Sequence, residues 1–365
     1  MIAQGTQATD VTEEQIQQVV VDVEQFIRST GVTQKAIAKA IGYSDGVLSN
    51  FLNSNYLGNA GQIAIDLDDW LVEEEQRRTR QQKPDFVWTN VAKHIQSIAS
   101  YCLDYQKIGL VYGPETSGLG KTTALQAIHQ EMGPRRSALL TIMKGDANST
   151  ALLRKMCLSL GLGKETTNDR MRDKIIKHLK GRSHIFLIDQ IHNLRYAKED
   201  RPYYQLVDIW DATKTAQLWT GTSDMVDYLT RQAKKTTDEP LAQIRRRIFP
   251  CVDLVESLTG GGGGNGEPLF TVDQIREMFR NFKLSLTSSA SRWLCALARC
   301  PGSGGLGIVE NIHEYATMLA QMRNASNIDI PLLKEALKSS LTTARAETLL
   351  FGVDQIMESE KRKVA

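Results

Sequence analysis

The chain has 365 residues, 41% hydrophobic and 24% charged, with a formal net charge of +2. That is length enough for two or three separate cores, and the charge balance by itself selects no partner. No stretch approaches the ~18 uninterrupted apolar residues of a membrane span, and "MIAQGTQATDVTEE" lacks the charged and greasy segments of a signal peptide. A cytoplasmic protein with no membrane partner is expected.

Residues 1–75 read as short helices. "TEEQIQQVVVDVEQFIRS" is amphipathic, with Thr12 as a cap ahead of two acids. In "VTQKAIAKAIGYSDGVLSNFLN" a helix from about Thr33 to Ile41 stops at Gly42, and a second starts after Ser44 and runs to about Leu52. Two helices around a glycine-containing turn make a helix-turn-helix plan, with Ile37, Ile41, Val47 and Leu52 as its expected core. Ser44, Ser49 and Asn50 are its candidate DNA contacts, but the second helix offers no Lys or Arg. Residues 1–83 hold 12 acids and 7 bases. Phosphate contacts supply most non-specific affinity, so this segment is expected to anchor DNA weakly, or to dock protein instead.

Residues 76–86, "QRRTRQQKPDF", are polar and without apolar periodicity, as in a linker. From 87 to 257 apolar runs alternate with helical stretches: "KIGLVYG", "ALLTIM", "HIFLID", "AQLWTG" and "RIFPCVDL" read as strands. The pattern predicts an α/β domain, a parallel sheet with helices on both faces. Residues 258–269 contain "TGGGGGNGEP", a flexible joint, and 270–345 carry four helical segments, an all-α lid domain. Residues 346–365 are expected to fray. The cysteines (Cys102, Cys157, Cys251, Cys295, Cys300) show no metal-ligand spacing, and the helical pattern "WLCALARC" favours buried thiols over zinc ligands.

"LVYGPETSGLGKTTAL" carries the most chemistry. A strand enters a glycine-rich turn and then a helix at Lys121, so backbone N–H groups and the helix N-terminus form an anion cradle. Gly113, Ser117, Gly118, Leu119, Gly120, Lys121, Thr122 and Thr123 are the expected nucleotide contacts. Lys121 would reach the β- and γ-phosphates, and the Thr122 hydroxyl would help hold Mg²⁺ beside ATP. Six residues separate Gly113 from Gly120 where the usual phosphate loop has four, so the loop either carries an insertion or makes its first turn at Glu115.

About 70 residues on, "HIFLIDQIHNL" ends its apolar run in Asp189, placed to support the metal. A glutamate would normally come next, to accept a proton from the attacking water. Gln190 can orient that water but not deprotonate it, so slow hydrolysis and a persistent ATP state are expected. Either Gln190 is natural in a protein that uses ATP binding more than turnover, or it is a deliberate Glu→Gln change that traps the ATP state; the rest of the site reads as built for hydrolysis, which favours the second. His192 beside it reads as packing rather than catalysis.

The order of these segments, with "FLNSNYLGNAGQIAIDLDDWL" after the helix-turn-helix, resembles the MuB, TnsC and IstB group of transposition ATPases over nearly the whole chain. The resemblance is strongest at 33–75, 108–123 and 184–194. It implies an AAA+ P-loop ATPase that binds double-stranded DNA with little sequence preference, forms a filament or ring on it, and delivers it to a DDE-type transposase in a bacterial host. In that likeness "LWTGTSDMVDYL" is the sensor-1 strand, with Thr222 where the family often has Asn. "LAQIRRRIFP" supplies the arginine finger that acts in trans, with Arg247 the first match and Arg246 the second; a solvated or DNA-facing patch is the alternative. The sensor-2 arginine slot falls on Gly307. Lys144, Lys174, Lys177, Lys180 and Arg182 are candidate phosphate contacts of a central channel, against the plain reading of solvated helix charges. Two other functions remain open. A helicase loader of the IstB and DnaC kind would prefer single strands. A regulatory NTPase would read one operator with residues 1–75 alone.

Overall fold

The computed structural model describes residues 11–80, 84–114, 118–163, 167–197, 201–233, 240–260 and 266–364. Two compact units divide the chain, Met1–Lys83 and Pro84–Ala365. In the first, α1 (Glu13–Thr30) opens on a reciprocal cap, Thr12 accepting from the Gln15 N–H while the Gln15 side chain accepts from the Thr12 N–H. Helices α2 (Gln34–Ala40) and α3 (Asp45–Leu52) start from Thr33 and Ser44 caps, and α4 spans Ala60–Arg80. Ile37 and Leu52 are buried as the sequence suggests, whereas Ile41 and Val47 are only half-buried. Leu48 and Phe51 do more, because α3 turns its 48, 51, 52 face inward against Val23 and Phe26 of α1 and Ile63 and Leu67 of α4. The helix-turn-helix therefore shares a four-helix core. Helix α4 runs on to Arg80, through part of the stretch expected as linker.

The second unit begins with α5 (Asn90–Tyr105), β1 (Ile108–Gly113), α6 (Lys121–Met132), β2 (Ser137–Thr141), α7 (Ser149–Ser159) and α8 (Asn168–Leu179). It continues through β3 (Ile185–Asp189), α9 (Arg201–Thr213), β4 (Ala216–Thr222), α10 (Ser223–Ala233), α11 (Pro240–Arg247), β5 (Ile248–Asp253) and α12 (Leu254–Thr259). All five expected strands form, parallel and in the order β2-β3-β4-β1-β5. Alternation assigns their side chains to two cores: Ile185 and Leu187 of β3 face one, Phe186 and Ile188 the other. Both faces are covered, the condition for a parallel sheet. Pro250 sits in β5, an edge strand, where a missing N–H costs no ladder bond.

Helices α13 (Val272–Met278), α14 (Ser288–Arg299), α15 (Gly305–Met322), α16 (Ile330–Ser340) and α17 (Thr343–Val364) complete the unit, with the short strands β6 (Ser285–Leu286) and β7 (Asn327–Ile328) pairing between them. They do not form a core of their own. Trp293, Leu333 and Val353 belong to the same cluster as Ile95, Leu125 and Leu187 beneath the sheet. Of the expected joint at 258–269, Leu258 and Leu269 are buried, and 261–265 lie outside the described residues. The expected fraying of 346–365 is corrected: α17 buries Ala346, Leu349 and Val353 and pairs Glu360 with Arg299. Its apolar residues, spaced three and four apart, outweigh the polar "ESEKRK" end. Four of the five thiols are buried; Cys251, on the edge strand, is exposed.

His313 is fully buried in this core, stacked on Phe279 at 4.0 Å and edge-on to Phe282 at 4.5 Å. Neither ring nitrogen has a hydrogen-bond partner among the described residues, and burial pushes its pKa down to about 4. The folded state therefore excludes a proton that the unfolded chain binds near pH 6.5. Stability is whole above that value and falls as the pH drops toward about 4, by up to about 3 kcal/mol from this group. Thermal melts of the unaltered chain and of His313→Leu across pH 7.5 to 4.5 should diverge in slope, the variant losing less Tm on acidification; parallel slopes would show that His313 takes up its proton without cost.

Candidate nucleotide site

The register of the sheet brings the site together. Thr141 of β2 lies beside Asp189 of β3, Ile188 beside Trp219 of β4, and Gly113 of β1 beside Thr222. The carboxyl ends of four parallel strands thus share one edge, the place where open α/β sheets take ligands.

At that edge Asp189 is 2% exposed, and a buried carboxylate must be paired. Its Oδ2 accepts from the Thr122 hydroxyl at 2.7 Å, and its Oδ1 from the Thr220 hydroxyl at 2.7 Å and the Gln190 N–H at 2.9 Å. Lys121 stands alongside. Burial lowers its pKa, against the opposing charges of Asp189 and Asp253. Hydroxyl and carboxylate oxygens side by side suit a hard divalent cation, so Thr122 and Asp189 fit Mg²⁺ as donors. Asp253 caps α12 through the N–H groups of Val255 and Glu256. Thr220 and Asp253 escape a reading of the sequence alone. The alternation in "WTGT" carries the signal for Thr220, since residues two apart share a strand face.

Gln190 stands in the left-handed region at φ 56 and opens the 3-10 turn Ile191–Tyr196. Its Oε1 accepts from the Asn193 side-chain amide at 3.1 Å, and the same amide donates to the Ile142 carbonyl at 2.8 Å. Asn193 thus fixes the side chain next to Asp189 and ties it to the segment directly after β2. The Thr222 hydroxyl donates to Asp224, and Asp224 also pairs with Arg195 of the 3-10 turn. His192 is half-buried in the same turn.

The phosphate loop is closed by backbone. The Gly118 N–H donates to the Gly304 carbonyl at 3.0 Å, and the Leu306 N–H returns to the Gly118 carbonyl at 2.7 Å. A Cβ at position 118 would stand 2.0 Å from that Gly304 oxygen, so only glycine fits. Glu115 and Ser117 lie outside the described residues, so both forms of the long loop, inserted or turned at Glu115, stay open. Gly120 takes a left-handed φ of 78 and leads into α6. Leu119 is buried and Thr123 exposed. A cavity of about 320 Å³ opens between residues 84–89, residues 118–123 and the α15 residues Leu306, Gly307 and Glu310, within the range of small-ligand pockets. Asp85 fastens its far wall, its N–H donating to the Met278 carbonyl and its Oδ2 accepting from Asn281.

The remaining candidates divide. Arg247 is held within its own chain, Nε and Nη2 each 3.0 Å from Asp211 Oδ2 and Nη1 3.2 Å from the Gln243 carbonyl. Arg246 is exposed and pairs with no carboxylate among the described residues. Lys144 lies just after β2 at the nucleotide edge, with its Nζ 4.8 Å from the Tyr196 ring centroid. Lys177, Lys180 and Arg182 precede β3 and stand exposed at the opposite edge, and Lys174 reaches the Gly163 carbonyl at 3.3 Å. A single basic stripe of Lys144 with Lys174–Arg182 is therefore not formed, because β3 runs from one group to the other. In the first unit Ser44 spends its hydroxyl as the α3 cap, Ser49 is half-buried and Asn50 is exposed.

Residues 103–229 match the AAA domain family. The chain is similar to the "Mu-like prophage FluMu DNA transposition protein B" of Haemophilus influenzae, at 25% identity over 48% of this chain and 60% of the relative. It is also similar to the "ATP-dependent target DNA activator B" of Escherichia phage Mu, at 25% identity over 46% of this chain and 53% of the relative. The matched region thus spans little more than half the length of these curated relatives. Among solved structures the fold is similar to the Aeropyrum pernix ORC2 protein. The ADP form aligns at TM-score 0.52 and 12% identity over 71% of each chain, and the mixed ADPNP and ADP complexes at 0.50 and 14% over 74% of each. With the parallel sheet and the phosphate loop in place, the chain carries an AAA P-loop ATPase fold and is similar over about half its length to the Mu-like transposition B proteins.

Proposed function

We propose that this chain is a Mg²⁺-dependent ATPase that assembles on duplex DNA with little sequence preference while ATP is bound, and presents that duplex to a transposase. The observation that carries the reading is the group of Lys121, Thr122, Asp189 and Thr220 at one sheet edge, in a chain similar to an "ATP-dependent target DNA activator B". Lys121 neutralises the β- and γ-phosphates, and Gly118 to Thr123 wrap them. Thr122 and Asp189 would hold the metal, which would supply charge neutralisation to the phosphates when bound. Gln190, fixed by Asn193, orients the attacking water but takes no proton from it, so turnover is slow and the ATP state long-lived.

Arg246 is better placed than Arg247 to enter the site of a neighbouring copy, because Asp211 already holds Arg247. DNA contact by Lys144 draws support from its exposure at the nucleotide edge. The acidic first unit contributes less to phosphate binding and is the candidate surface for protein contacts.

The direct test is the lifetime of the chain on random-sequence duplex with Mg²⁺ and ATP, against ADP. Large complexes that persist with ATP, are absent with ADP and weaken steeply with salt are expected. Absence of duplex binding with ATP would overturn the reading in favour of a loader, tested on single strands, or an operator-reading regulator.

Restoring a base tests the role of Gln190. Gln190→Glu should raise ATP turnover by about 10²–10⁴-fold and shorten the duplex lifetime; an unchanged rate would place the general base elsewhere. For the trans contact, Arg246→Ala should lower the turnover of the assembled Gln190→Glu protein at least about tenfold. Arg247→Ala should chiefly lower thermal stability, and the reverse pattern would return the finger to Arg247.

A further inference from the structure

Between the exposed Lys144 and the nucleotide site runs a continuous set of polar contacts that the ATP chemistry above does not use. Lys144 lies over the face of Tyr196, a side chain 50% exposed at the nucleotide edge. The Tyr196 hydroxyl accepts from Arg195 Nη2 at 3.2 Å, and the Arg195 guanidinium stands 5.1 Å from the same ring. Through Nη1, Arg195 pairs with Asp224, whose other oxygen accepts the Thr222 hydroxyl proton. Arg195 and Tyr196 close the six-residue 3-10 turn that Gln190 opens.

The arrangement has a consequence for Thr222. A hydroxyl has one proton to donate. Here it goes to Asp224, so Thr222 cannot also donate to a phosphate oxygen at the sheet edge. Arg195 holds the Asp224 carboxylate in that position, and Arg195 itself, half-buried, is within reach of an anion that arrives at Lys144 and Tyr196.

Resting on the duplex-binding reading above, we propose that Arg195 is a positioning residue that couples a nucleic-acid backbone phosphate at Lys144 and Tyr196 to the Thr222 hydroxyl. A backbone phosphate competes with Asp224 for the guanidinium, and guanidinium–phosphate pairing is strong enough to win it. Without its anchor the Asp224 carboxylate turns away, and the Thr222 hydroxyl is freed to donate to the nucleotide. Duplex DNA then raises kcat for ATP with little change in KM, since the freed hydrogen bond acts on the reacting phosphate rather than on nucleotide capture.

The test uses the full 365-residue chain carrying Gln190→Glu, with random-sequence duplex as the probe and duplex retention recorded in parallel. Before further substitution, duplex should raise kcat by about fivefold, the worth of one hydrogen bond of about 1 kcal/mol. Arg195→Ala should raise the rate without DNA toward the duplex-stimulated rate and leave no further stimulation. Arg195→Lys, which keeps a charge for Asp224 but cannot reach both partners, should restore the low basal rate and only part of the response. Duplex retention with full stimulation in both Arg195→Ala and Arg195→Lys would overturn the coupling and leave the duplex-binding reading intact. Failure of the unaltered Gln190 chain to retain duplex with Mg²⁺ and ATP would overturn both.

Discussion

A single buried carboxylate governs this unit. Asp189 is almost wholly removed from water, and an unpaired charge there would cost several kcal/mol. Three donors answer it, from three different segments: Thr122 after the phosphate loop, Thr220 within β4, and the backbone of Gln190. Each donor constrains the fold. Thr220 requires β4 as the neighbour of β3. Thr122 requires the helix after β1 to start at the same edge, which the placement of β1 beside β4 provides. The strand order β2-β3-β4-β1-β5 is thus bound to the site electrostatically as well as by packing.

The same carboxylate shapes the turn that leaves β3. The chain departs from Asp189 with a left-handed residue, a conformation that costs a non-glycine side chain about 1 kcal/mol or more. That turn brings the Gln190 N–H back to Asp189 and directs the side chain to Asn193. A glutamate at 190 would place a second negative charge beside a carboxylate that is already buried, and repulsion would raise the proton affinity of one or both. That is useful in a base awaiting a proton and unfavourable in a protein at rest. An amide accepts the same Asn193 hydrogen bond with no charge penalty. Gln190 therefore relieves an electrostatic conflict while offering no proton acceptor, and in the proposed reading the chemistry given up and the ATP state retained are one physical effect.

Legibility in the sequence tracks the strength of local patterning. Buried parallel strands are short unbroken apolar runs, so all five are legible; so is the helix starting at Lys121, because a glycine turn before it has few other uses. The Thr12, Thr33 and Ser44 caps announce themselves by position. The four-helix core of the first unit is not legible: whether Leu48 or Val47 faces inward depends on α1 and α4, separated from α3 in the chain. The last helix reads as frayed because its polar end masks Leu349 and Val353, which meet partners only in the folded core. The site shows the same division. Lys121, Thr122 and Asp189 lie in motifs, whereas Asn193, Arg195 and Asp224 matter through partners that no spacing rule specifies. Lys144 and the Lys174–Arg182 group look like one basic feature in sequence, and the length of β3 separates them.

The phosphate loop and the helices after β5 are joined more closely than a hinged lid would require. Gly118 exchanges two backbone hydrogen bonds with Gly304 and Leu306, at a separation that no side chain at 118 or 305 could tolerate. In the proposed reading nucleotide entering beneath residues 118–123 meets the start of α15 directly, and the backbone bonds of Gly118 carry any change in the loop to the C-terminal helices. The arginine that the family resemblance would place at 307 is absent for no steric reason, since a Cβ there meets nothing within 4 Å. With backbone closing the loop from this side, the positive charge expected beside the γ-phosphate has to come from elsewhere. In the proposed reading it comes from a neighbouring copy, whose Arg246 stands exposed while Asp211 holds Arg247. Assembly then becomes a condition of catalysis: a lone chain can close on nucleotide, and only an assembled one completes the charge around it.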